Sequence, residues 1–182
     1  MSSRVESLAL LTAALALAPF SRPASAQTPT AAGVIEPKAA FDRLKSLAGA
    51  WEGRVADEAA GPATTVFYRV ASNGSVVMET LFPGTEHEMI SMYHMEKEDL
   101  VLTHYCAMAN QPKMRLDPKA STMETLVFAF EGGTNFDPAK DPHVHSGVVS
   151  FRGEALQADW AVWYDGKEAS HNRFFLTRKM KK

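Results

Sequence analysis

From Trp51 to the carboxyl end, apolar and polar residues alternate in short runs, the period of two that marks strands with one buried face. Ten such runs are predicted as strands: 51–56, 64–71, 76–81, 88–95, 100–107, 113–116, 123–131, 145–152, 155–164 and 170–178. Turn residues separate them. Asn73-Gly74, within 72–75, tolerates the positive φ that tight hairpins demand, and Gly153-Glu154 and 165–169 are similar breaks. One longer excursion, 132–142, holds Gly133, Asn135, Pro138 and Pro142 and reads as an open loop. Before the strands, the period changes. Ala40, Phe41, Leu44 and Leu47 fall three and four apart behind Pro37, so 37–47 is predicted as a short amphipathic helix ended by Gly49. Phe41 and Leu44 suit it to plug one end of the domain.

One helix followed by consecutive hairpins implies an all-β domain over 37–182, an antiparallel up-and-down barrel of about 8–10 strands with a short N-terminal helix. Closure removes the exposed sheet edges, and a barrel of that size has room for one small ligand. Hairpin register then assigns side chains to faces, because directly opposed residues project to the same side. A turn over 96–99 pairs Tyr93 with Leu102, Ser91 with His104 and Met89 with Cys106. The interior face then carries Met89, Ser91, Tyr93, Met95, Leu100, Leu102, His104 and Cys106. The alternative would bury Glu88 without a partner. The Asn-Gly hairpin pairs Tyr68 with Glu79, and the Gly153 turn sets Trp160 opposite Gly147. Phe151, Leu156, Val162 and Phe175 are expected beside Trp160.

The amino-terminal segment departs from all of this. Arg4 precedes an uncharged apolar run over 8–20, and Ala24-Ser25-Ala26 supplies small residues, so 1–26 is expected to be a signal peptide cleaved to leave Gln27. Its thirteen apolar positions include Pro19 and fall short of the roughly 20 needed to span a bilayer as helix, so no stable membrane anchor is expected. Residues 27–36, rich in Thr, Ala and Pro, read as a flexible leader. The expected destination is the periplasm or the exterior. The full chain has 19 basic and 21 acidic residues; subtracting Arg4, Arg22 and Glu6 leaves 17 and 20, a net charge of −3. That balance gives no reason to expect nucleic acid as a partner. The single cysteine, Cys106, excludes an internal disulfide.

Leu47-Ala48-Gly49-Ala50-Trp51 resembles the Gly-x-Trp opening of calycin-type barrels. The stretch 78–114, with Met78-Glu79-Thr80, Phe82-Pro83-Gly84, Met92-Tyr93-His94, Thr103-His104-Tyr105-Cys106 and Asn110-Gln111-Pro112, resembles an uncharacterised exported bacterial family with a lipocalin-like barrel. The resemblance covers about 41–179 and implies a barrel without an assigned activity. There is also a distant likeness to nitrobindin-type haem barrels. Aligning the basic last strands places Phe174 where that family has its haem-ligating histidine, so the haem function is not implied.

The function these residues support is that of an exported protein holding a small apolar or amphipathic molecule in a lipocalin-like barrel. The ligand-binding candidates are Tyr68, Glu79, Met89, Ser91, Tyr93, His104, Cys106 and Trp160, an apolar lining with a few polar groups. No residue is assigned a catalytic or metal-binding role, and no cofactor is predicted. A haem or metal barrel is the first alternative. His143 and His145 would share a strand face, with His87, His94 and His104 near in sequence, but no third ligand stands at diagnostic spacing. A hydrolase or isomerase using an interior Glu or His is the second, and His104 and Cys106 lack an orienting third group. The methionines at 78, 89, 92, 95, 108, 114 and 123 are read mainly as gap fillers.

Overall fold

The computed structural model describes residues 34–55 and 61–180. The expected signal segment, 1–26, and most of the leader lie outside the described residues. Helix α1 (Pro37–Lys45) begins with Pro37 in its first turn, where a missing N–H costs nothing, and Arg43 and Lys45 in its last turn complement the helix dipole. Ten strands follow: β1 (Gly49–Val55), β2 (Ala63–Ala71), β3 (Val76–Leu81), β4 (Met89–Glu96), β5 (Asp99–Tyr105), β6 (Gln111–Leu116), β7 (Thr125–Thr134), β8 (His143–Arg152), β9 (Ala155–Tyr164) and β10 (Lys167–Arg178).

Each strand pairs antiparallel with its neighbours, and β1 also pairs with β10, from Trp51 opposite Arg178 to Val55 opposite Phe174. The sheet is therefore a closed up-and-down barrel without a free edge. The predicted registers hold: Tyr68 opposes Glu79, Ser91 opposes His104, and Gly147 opposes Trp160. The 72–75 connection is a 3-10 turn in which Ser72, Asn73 and Gly74 all take positive φ. β6 begins two residues earlier than expected and includes Pro112, beside a bulge at Lys113/Met114 that lets the ladder do without its N–H. β7 and β8 extend into the expected loop and shorten it to 135–142.

Two local devices fix the α1 end of the barrel. Gly49 takes a φ of +131° as the chain leaves α1, and Trp51, buried just beyond it, donates its indole N–H to the Leu47 carbonyl at 2.8 Å. From the last strand, the Arg178 guanidinium lies 4.5 Å over the Trp51 ring and donates to the Ser46 and Ala48 carbonyls. Helix α1 packs on β4 and β5 with Ala40, Phe41 and Leu44 buried, and Ile35 N–H donates to the Pro118 carbonyl. Burying Phe41 or Leu44 contributes about 1.5–3 kcal/mol each. α1 thus closes the end that carries the β2–β3 and β4–β5 turns.

Above this plug the interior is filled by Leu100, Leu102, Met114, Leu126 and Phe128, all fully buried, with Phe128 meeting Tyr93 edge-on at 5.6 Å. Two sequence readings need correction. Phe175 points outward and is 37 % exposed, because its partner Gln157 is on the outer face while Phe174 and Leu176 alternate inward. Gap filling describes Met114, Met89 and Met95, but Met108 and Met123 are exposed in connections.

Candidate functional site

At the end opposite α1 the filling stops. A chamber of about 220 Å³ opens there, walled by Leu81, Met89, Val144, Val162 and Phe174 and containing His104 and Trp160. Its rim comes from the β3–β4 connection, with Phe82 and His87, and the β5–β6 connection, with Cys106 and Met108. Alternation brings these side chains inward from six strands, β3, β4, β5, β8, β9 and β10. A cavity of about 150 Å³ lined by apolar groups suffices for benzene, so this one accommodates a single ring with substituents. Trp160 keeps its place because β8 has no side chain opposite it. A Cβ on Gly147 would stand 2.1 Å from the indole Cζ3.

Beneath the chamber lies a buried polar network. Tyr68 donates its hydroxyl to Glu79 Oε1 at 2.5 Å, and Tyr93 donates to Oε2 at 3.1 Å. Ser91, the cross-strand partner of Glu79, has its hydroxyl 3.0 Å from His104 Nδ1. Burial pushes the Glu79 carboxyl above the usual range, against the hydroxyls of Tyr68, Ser91 and Tyr93, which favour the ionised form. Burial, then the Glu79 charge, raises both tyrosines well above their ordinary value. His104 has no counter-charge, and burial lowers it to about 4, so its imidazole is neutral at physiological pH. Burial likewise raises the Cys106 thiol, whose sulfur lies 3.8 Å from Met89 Sδ.

The eight sequence candidates therefore divide into two layers. Met89, His104, Cys106 and Trp160 line the chamber, whereas Tyr68, Glu79 and Tyr93 face one another below it and Ser91 links the layers. The network explains how a carboxylate survives in the barrel: its oxygens are occupied by hydroxyl donors. The chamber atoms are not so served. His104 Nε2 and Trp160 Nε1 are buried with no hydrogen-bond partner, a condition shared among the described residues by Asn110 Oδ1. Sequence reasoning missed the walls contributed by Phe82 and Val144. Phe82 comes from a connection with positive φ, outside any period-two pattern.

The other histidines lie elsewhere. A bulge between Val144 and Ser146 turns Val144 inward, and His143, fully buried, and His145 join a separate aromatic cluster with Phe130, Phe136 and Trp163. There His145 is stacked between Phe130 and Trp163, at 4.4 and 3.7 Å, and its Nδ1 lies 3.0 Å from His143 Nε2. These imidazole nitrogens bind each other. Among the described residues no group of three or more His, Cys, Asp or Glu side chains is placed to hold a metal ion. His171, on β10, is clamped between Asp159 at 2.5 Å and Glu168 at 3.1 Å, and those hydrogen bonds raise its pKa.

Comparison with family models and with curated proteins returned no match to this chain. Among the described residues no helix is long and apolar enough to cross a membrane.

Proposed function

We propose that this protein is an exported small-molecule-binding barrel of calycin type, whose ligand is largely apolar and sits in the chamber opposite α1. The observation that carries the reading is the contrast within one interior. Below, fully buried side chains and a hydrogen-bonded network occupy the interior; above, 220 Å³ is left open among mostly apolar walls, and two nitrogens on its lining residues are buried without partners. A buried polar atom without a partner costs about 1–3 kcal/mol, and an occupant that pairs with both offsets that cost. Export is inferred from the charged start, apolar run and Ala24-Ser25-Ala26 site, and predicts a mature chain starting at Gln27.

Haem fits this chamber poorly. Phe174 offers no ligating atom, and although His104 has a free nitrogen, the volume lies below the roughly 300 Å³ at which pockets for drug-sized ligands begin, and a tetrapyrrole is larger than those ligands. An interior Glu acting on an occupant is also disfavoured, since Ser91 and two tyrosines separate Glu79 from the space.

The test is native mass spectrometry of the protein isolated from its own host, beside Val162→Phe, which fills the chamber from a partly exposed wall position. A small bound mass in the wild type, lost in the variant at an unchanged melting temperature, is the expected result. A wild-type barrel that is empty on gentle release, and that binds no apolar probe, would refute the reading.

A further inference from the structure

An up-and-down barrel sends alternate connections to opposite ends, so the mouth of the chamber is ringed by the β3–β4, β5–β6, β7–β8 and β9–β10 connections. Over 82–88, 106–110, 135–142 and 165–168 the chain carries six acids, Glu86, Glu88, Asp137, Asp141, Asp165 and Glu168, against two bases, Lys140 and Lys167, a net −4. Lys140 is bound to Asp137 at 3.0 Å. The α1 end shows no such bias, since 36–48, 72–75, 97–98, 117–124 and 153–154 together hold six acids and five bases. The field along the barrel axis is therefore uneven, and it is negative where the chamber opens.

Resting on the reading of the chamber as a ligand site, we infer that its ligand is a small cationic amphiphile, with an apolar body about one ring in size among the chamber walls and an ammonium head left hydrated at the mouth. The lining suits both parts. Leu81, Val144, Trp160 and Phe174 surround the body, and among the described residues no lysine or arginine lines the chamber. Glu86 and Glu88 flank His87 on the rim, and Phe82, also on the rim, has its ring 5.7 Å from that of Phe174. Aromatic rings attract cations. Asn172 shares the inward parity of Phe174 yet is exposed, which sets it at the mouth, where its amide oxygen can accept an ammonium N–H. A net −4 held about 10 Å away across water favours an ammonium about tenfold over a neutral head. A carboxylate meets the same field with the opposite sign.

Three probes of similar size differ in charge: benzylammonium, benzyl alcohol and benzoate, each titrated by calorimetry at ionic strengths of about 0.01 M and about 1 M, where charges act over about 30 Å and about 3 Å. At low salt benzylammonium is expected to bind about tenfold tighter than benzyl alcohol, and benzoate more weakly than either. At high salt the ratio of benzylammonium to benzyl alcohol is expected to fall to about twofold or less. Glu86→Gln combined with Asp165→Asn removes two exposed charges outside the lining, and the low-salt ratio is expected to fall to about threefold at an unchanged melting curve. Val162→Phe locates the probes, because filling the chamber should abolish binding of all three. Should it not fold, the salt dependence and the double variant decide. If benzyl alcohol or benzoate matches benzylammonium at low salt, or the preference survives both high salt and the double variant, the head group is wrong and the chamber remains a binding site. If no probe binds saturably, or all bind folded Val162→Phe as they bind wild type, the inference and the site both fall.

Discussion

Replacing His104 by Gln should change how the protein responds to acid more than how stable it is at neutral pH. Gln keeps a group able to bond Ser91 but takes up no proton. In the wild type the imidazole is 4 % exposed, and burial lowers it from 6.5 to about 4. Between those values the unfolded chain binds a proton that the folded chain refuses, so stability falls as the solution is acidified. His104's contribution is therefore complete above about 6.5 and is lost as pH falls through about 4. At about 1.36 kcal/mol per pH interval of one, the full loss is about 3 kcal/mol. For a chain of this length that corresponds to roughly 6–12 °C in melting temperature. Glu79 and His171 titrate in both proteins and largely cancel in the difference. Urea unfolding at a series of pH values from 7.5 to 4 measures it. Wild type should lose about 3 kcal/mol more than His104→Gln over that range, while at pH 7.5 the two differ by about 1–2 kcal/mol from altered packing and bonding. Parallel curves would mean that His104 reaches solvent or a carboxylate when folded, and the account of the chamber floor would be wrong.

Gly147→Ala places a methyl against the Trp160 ring and should cost about 1–3 kcal/mol, with a change in tryptophan emission as the indole is displaced; an unchanged spectrum and melting curve would refute the notch. Tyr68→Phe and Tyr93→Phe each remove a donor from a buried carboxylate and should cost about 1.5–3 kcal/mol, with a coupling between them in a double-mutant cycle, because both act on Glu79. Asp159→Asn removes the main group that raises His171, so proton NMR should show its pKa falling toward the ordinary value. Since that raised pKa adds stability below about 6.5 that is lost as pH climbs through the folded value, the variant should lose less stability than wild type on going from pH 6 to 8.

Much of the architecture was legible because strands declare themselves locally. Alternation placed every strand, and turn lengths set registers such as Tyr68 with Glu79 and Ser91 with His104, since a slip of one residue would turn apolar side chains to water. The candidate site was legible in the same way. Seven of its eight residues came from two hairpins and Trp160 from a third, all short-range inferences. The exceptions arose where period two is broken. The Val144/Ser146 bulge sends His145 to the separate aromatic cluster, and the shift between Glu168 and Ser170 sets the parity that makes Phe174 inward and Phe175 outward. A bulge adds one residue to one strand, and nothing in the local composition states which.

What the sequence by itself determined was an all-β meander with a short leading helix, the hairpin partners, and which side chains share a face. Only the tertiary structure decided that β1 meets β10, that α1 closes the end with the β2–β3 and β4–β5 turns, and that the unfilled space lies at the other. It also decided the division of labour among the polar candidates. Tyr68 and Tyr93 reach Glu79 from separate hairpins and consume its oxygens, while His104 and Trp160, chamber-lining residues from β5 and β9, are left with buried, unpartnered ring nitrogens. The reason is geometric: pairing within a hairpin depends on a few consecutive residues, whereas side chains that meet across a barrel's interior depend on strand number, tilt and stagger together.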